Sequence, residues 1–131
     1  MARISRTAWW GRAALACGLM TAIALGLPPS SGWAHAFVSR SDPRAGASLE
    51  ESPAQIRIWF DGPVEPVFID IRVENGDKQR VDKGDGRLNP GDKTLVEVGL
   101  PPLAPGRYRV FWSVIARDGH RREGSFSFLV K

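Results

Sequence analysis

From His35 onward, apolar positions alternate with polar ones in short runs broken by turn residues, and no stretch of ten or more residues carries a helical period. The pattern predicts an all-β chain with strands at Phe37 to Arg40, Gln55 to Phe60, Phe68 to Glu74, Thr94 to Val98, Gly106 to Ile115 and Gly124 to Val130. Asp42-Pro43, Asn75-Gly76-Asp77, Asn89-Pro90-Gly91-Asp92 and Pro101-Pro102 supply the fixed or positive φ angles that turns need. Because strand side chains alternate between faces, Tyr108, Val110, Trp112 and Val114 are expected to look into the core. The other face of that strand starts with Arg107 and Arg109 and turns apolar at Phe111 and Ile115, as in a central strand partly covered on both sides. Trp59 and Trp112 are expected to be structural aromatics of the core. Six or seven such strands are most economically buried as a two-sheet sandwich.

Before His35 the pattern changes. Arg3, Arg6 and Arg12 open the chain, an apolar stretch follows from Ala13 to Leu27, Pro28-Pro29 breaks it, and small residues stand at Gly32 and Ala34. Residues 1–34 read as a secretory signal peptide, cleaved after Ala34. The apolar stretch, about fifteen residues, is shorter than the roughly twenty that a membrane span requires. Cys17, the single cysteine, falls within it, so a mature chain of residues 35–131 has no thiol and no disulfide. Arg3 and Arg6 are not adjacent, which gives no support to a twin-arginine signal. Export is the expected fate.

The leader also changes the meaning of the charge. The whole chain of 131 residues carries a formal +4. Without the three leader arginines, fifteen basic side chains face fourteen acidic ones, so no nucleic-acid partner is implied. One small domain of this size leaves no room for a large multidomain enzyme. Residues for a nucleophilic triad, a phosphate-cradling glycine loop or an HExxH metal motif are missing.

The two histidines carry the candidate chemistry. As a mature N-terminus, His35 would offer its α-amine and its ring Nδ1 to one metal in a six-membered chelate, with copper displacing the amine proton near neutral pH. His120 lies in Arg117-Asp118-Gly119-His120, between the two most aromatic strands, where Gly119 gives the turn freedom of φ and Asp118 and His120 can aim at one point. One amine, two imidazoles and a carboxylate form a nitrogen-rich, thiol-free donor set suited to Cu(II). Zinc accepts the same donors tetrahedrally. The competing reading is a solvated Asp-Gly hairpin turn and an incidental terminal histidine. Arg117, Arg121 and Arg122 surround the turn, either as solvated charges or as a surface for an acidic partner.

The segments His35-Ala36-Phe37-Val38-Ser39, Ser41-Asp42-Pro43, Gly46-Ala47, Pro63-Val64-Glu65-Pro66, Leu103-Ala104-Pro105-Gly106-Arg107-Tyr108 and Asp118-Gly119-His120 together resemble the CopC family of bacterial periplasmic copper-binding proteins. The likeness runs from His35 to about Val130. It implies a cupredoxin-like or immunoglobulin-like Greek-key β-sandwich or barrel over residues 35–131. It further implies a Cu(II) site of His35 through amine and ring, His120 through its ring, and Asp118 as a weaker or axial carboxylate. A CopD-type inner-membrane copper transport protein is the partner the resemblance suggests, with the domain itself a monomer.

Two positions depart from the family pattern. Many relatives have an acidic residue just before the Pro-Val-Glu segment; here that place is Gly62, with Asp61 one residue away. Glu65 itself, between two prolines, suits a surface position on an edge strand or loop better than ligation. Methionine is confined to Met1 and Met20, so a thioether Cu(I) site is not expected. The expectation is a non-enzymatic carrier that captures, buffers or delivers Cu(II) in copper homeostasis or resistance. Two alternatives stay open: a copper-dependent oxidase with a histidine-brace site like that of lytic polysaccharide monooxygenases, and a metal-free secreted immunoglobulin-like interaction module.

Overall fold

The computed structural model describes residues 37–131. The leader, Cys17 and His35 lie outside the described residues. Eight strands run β1 (Val38–Asp42), β2 (Ser48–Leu49), β3 (Gln55–Phe60), β4 (Asp70–Glu74), β5 (Arg87–Asn89), β6 (Asp92–Gly99), β7 (Gly106–Ile115) and β8 (Arg121–Val130). They form two four-stranded sheets, ordered β1-β3-β6-β5 and β2-β8-β7-β4. The sandwich expected from the alternating pattern is the observed fold, and no helix occurs among the described residues.

The core forms where the inward faces of the sheets meet. Ile56, Ile58 and Phe60 of β3 and Val96 and Val98 of β6 pack against Ile71 and Val73 of β4, Val110 and Val114 of β7, and Phe128 and Val130 of β8. Tyr108 stacks on Phe128 with ring centroids 5.4 Å apart, and its hydroxyl donates to the Ala104 carbonyl at 2.6 Å. Burial of apolar surface at about 25 cal/mol per Å² drives this closure. Across the β7–β8 ladder Trp112 faces Gly124, where an added Cβ would lie 2.6 Å from the indole, so the glycine makes room for the ring. Trp112 meets Phe60 edge to face at 5.1 Å and packs, half-buried, on the rim of the core.

Three expectations need correction. Trp59 is not a core residue: with Ile58 and Phe60 facing inward, it must face outward, where it lies half-buried under Arg40 and Arg57, whose guanidinium carbons are 3.9 and 5.0 Å from the ring centre. Phe68 does not begin a strand; it is 76% exposed with φ at +54°, and β4 starts two residues later. The last strand begins earlier than its apolar pattern suggests, because Arg121, Arg122 and Glu123 pair with Ile115, Val114 and Ser113 of β7. That ladder extends the β7–β8 hairpin to the Asp118 turn and holds the turn on a stiff two-stranded arm.

Candidate metal centre

β7 ends at Ile115 and β8 begins at Arg121, so Ala116 to His120 close the hairpin. The turn is tied at its base: Gly119 N donates to the Ala116 carbonyl at 2.8 Å and Ala116 N to the His120 carbonyl at 2.9 Å. Gly119 has φ of +81°, the left-handed conformation for which its place in the sequence suggested it. Within this loop the Asp118 carboxylate turns back on its neighbour. Oδ1 accepts the His120 amide at 3.0 Å, and Oδ2 stands 3.2 Å from His120 Nδ1.

The two side chains called from sequence are therefore brought together by the turn itself. The Oδ2 to Nδ1 separation is that of a hydrogen-bonded pair, so the carboxylate holds the ring in place across the turn. The His120 side chain is 71% exposed and that of Asp118 18% exposed, so an ion can reach the pair from solvent. The Asp118 carboxyl is held below its ordinary range, chiefly by the backbone amide of His120, then by the His120 ring and the charge of Arg122. Arg122 Nη2 lies 3.6 Å from Asp118 Oδ2 and its side chain is 23% exposed, so this arginine is not a merely solvated turn charge; Arg117 and Arg121 are exposed.

The base of the turn is stapled to the loop after β3. Val64 bridges Ala116, Glu65 N donates to the Ile115 carbonyl at 2.9 Å, and Val64 N donates to the Lys93 carbonyl at 2.9 Å. Val64 is 3% exposed, which anchors this loop in the core. Glu65 joins this staple through its backbone amide. The same end of the sandwich receives the start of β1, since Val38 pairs with Phe60 at the end of β3. Phe37 N donates to Asp61 Oδ1 at 2.8 Å and Asp61 N donates to the Phe37 carbonyl at 2.8 Å. Asp61 stood out in the sequence as an acid displaced by one from a family position; nothing there revealed its backbone partner.

Among the described residues no group of three or more His, Cys, Asp or Glu side chains gathers. Asp118 and His120 form a pair, and the third donor expected from sequence, His35, lies two residues before Phe37 and outside the described residues. Two residues of extended chain span about 7 Å.

The CopC domain family matches residues 38–131. The chain belongs to the CopC family. The protein YobA of Escherichia coli K12 is 30% identical over 132 residues, covering the whole of both chains. The copper transport protein CutJ of Bacillus subtilis is 29% identical over 128 residues, or 97% of this chain, which spans 22% of that relative's length. Among solved structures, CopC from Methylosinus trichosporium OB3b is similar with a TM-score of 0.66 and 29% identity, covering 74% of this chain and 94% of that one. PcoC, a methionine-rich copper resistance protein from Escherichia coli, has a TM-score of 0.62 at 24% identity, over 74% of this chain and 99% of the other, which is a likeness of fold. The resemblance and the sandwich expected for this CopC domain both hold.

Proposed function

We propose that this CopC-family chain is a copper-binding protein of copper homeostasis and resistance that captures Cu(II) in the periplasm and buffers or delivers it. Membership of the family and the copper-related names of its relatives support copper as the cargo. The observation that carries the reading is the Asp118-Gly119-His120 turn, which converges a carboxylate and an imidazole to 3.2 Å on a solvent-accessible end of a rigid hairpin. His35, freed as the mature N-terminus by cleavage after Ala34, completes the set with its amine and ring. Nitrogen-rich donors favour Cu(II) by ligand type and by the Irving–Williams order. The contrast with methionine-rich PcoC points the same way, because the methionines of this chain are Met1 and Met20.

The residues act by holding the ion. His120 supplies a neutral ring nitrogen, Asp118 orients that ring and adds a carboxylate oxygen, and the β7–β8 arm fixes both before copper arrives, so little ordering is left to binding. A carrier needs no group to move protons or form covalent intermediates. A CopD-type membrane protein is the proposed recipient, and the domain is proposed to act as a monomer.

The test uses the protein recovered from the periplasm, with its first residue read by mass. A terminus at His35 and a Cu(II) affinity that drops by about a hundredfold or more when Met is placed before His35 are expected, since loss of a direct ligand exceeds the 10–100-fold effect of outer-shell partners. Undiminished binding in the Met-extended protein would remove the amine from the site. Absence of ascorbate-driven oxygen consumption by the copper-loaded protein is the outcome expected of a carrier; turnover to peroxide would support the histidine-brace oxidase instead.

A further inference from the structure

We propose that Asp61 is a positioning residue for the copper site: its side chain fixes Phe37 at the start of β1, two residues after the His35 that the site is proposed to use. The inference rests on the copper site proposed above and assigns Asp61 a different task from the ligand-side acid that its place in the sequence suggested.

Three observations carry it. Phe37 and Asp61 are joined twice, once through Asp61 Oδ1 and once through Asp61 N, both at 2.8 Å. The side-chain bond adds an anchor at the end of the β1–β3 ladder, where an edge strand otherwise frays. Immediately inside this anchor, the β1–β3 register shifts between Val38 and Arg40, while Ser39 Oγ donates to the Trp59 carbonyl at 3.1 Å. Such an irregularity bends a strand locally, here beside the Phe37–Asp61 clamp. Finally, Asp61 is three residues before Val64, which bridges Ala116 at the base of the ligand turn. One short loop thus ties the clamp on the N-terminal strand to the turn that holds Asp118 and His120.

The energetic logic is preorganisation. Any terminal segment loses backbone freedom when its first residue binds a metal, and a fixed residue two positions away removes part of that cost before binding. The Asp61 carboxylate does this through an amide donor and need not touch the ion.

Affinity for Cu(II) is measured by competition titration on the periplasmic protein, on Asp61→Ala and Asp61→Asn, and on the same changes combined with His35→Ala and a Met placed before it, which together take both ring and terminal amine from the site. Asp61→Ala is expected to bind Cu(II) about tenfold more weakly with an unchanged paramagnetic resonance spectrum, and Asp61→Asn, which keeps an oxygen acceptor, to bind as the parent does. In the background lacking both the His35 ring and the terminal amine, neither change is expected to have a further effect. Faster amide exchange at Phe37 in Asp61→Ala, with the rest of β1 unchanged, is the accompanying structural sign; an exchange rate equal to the parent's would contradict the clamp. Parental affinity in Asp61→Ala, equal weakening by Ala and Asn, or an Asp61 effect that survives without His35 would each overturn the positioning role while leaving the copper site standing. Unaltered affinity in His35→Ala alone would instead remove the copper site as proposed, and the positioning role with it.

Discussion

Asp82 and Asp118 are two carboxylates built into loops by the same local device and put to opposite uses. Each accepts a backbone amide from two residues ahead: Gly84 N to Asp82 Oδ1 at 2.9 Å and His120 N to Asp118 Oδ1 at 3.0 Å. Each faces an arginine, and each is held below the ordinary carboxylate range. Around Asp82 the arrangement is closed. Arg80 grips both oxygens through Nε, Val73 N donates to Oδ2 at 2.8 Å, and the side chain has no exposed surface. Around Asp118 the arginine stands off at 3.6 Å and the neighbouring His120 ring projects into solvent. A carboxylate saturated by its own chain fastens the segment after β4 to β4; the one paired with an exposed imidazole is proposed to present a donor pair to copper.

The two acids should therefore fail differently. Asp82→Ala strips three partners at once, leaving Val73 N and Gly84 N without their acceptor, and is expected to cost about 2–4 kcal/mol of stability with Cu(II) affinity unchanged. Chemical denaturation and copper titration of one sample check both halves; a loss of copper binding in the folded variant would erase the distinction. Asp118→Asn should do the reverse, weakening Cu(II) by about a hundredfold or more, beyond the effect of an outer-shell partner, with no shift in melting temperature. A melting temperature that falls with it would make Asp118 another structural fastener.

The smallest effect is a matter of pH. Burial alone would raise the Asp82 pKa, but its bonds to Arg80, Val73 and Gly84 outweigh it and the folded value is lowered. The folded state therefore holds this proton less firmly than the unfolded chain. Its contribution is fully present above the unfolded pKa of about 3.9 and is lost as pH falls through the lower folded value. The stability gap between the parent protein and Asp82→Asn should accordingly be widest near neutrality and narrow in acid; a gap that widens on acidification would contradict the assignment.

How much of this was legible beforehand depends on whether a residue acts through its own pattern or through a partner. β3 and β7 were readable end to end, since Ile56, Ile58 and Phe60, and Tyr108, Val110 and Val114, alternate cleanly and each strand is long enough to show it. The Asp118-Gly119-His120 turn was legible for the same reason: its chemistry and its φ requirement lie within three adjacent residues. β2 and β5, at two and three residues, are strands only because β8 and β6 lie beside them. Arg121 to Glu123 likewise take strand form from β7 and not from apolar content. Trp59 misled because size suggested burial while the parity of β3 sends it outward, where two arginines cover it. The bond between Asp61 and Phe37 joins residues 24 apart, a distance over which no local pattern speaks.

The most direct test of the central claim is a Cu(II) titration of the protein taken from the periplasm, followed by electron paramagnetic resonance, beside the same titration of His120→Ala. The account predicts one tight, nitrogen-rich tetragonal site in the parent, and in the variant loss of that signal with folding stability intact, because the ring is largely exposed. An identical copper spectrum in His120→Ala, or weak and heterogeneous binding in the parent, would contradict it.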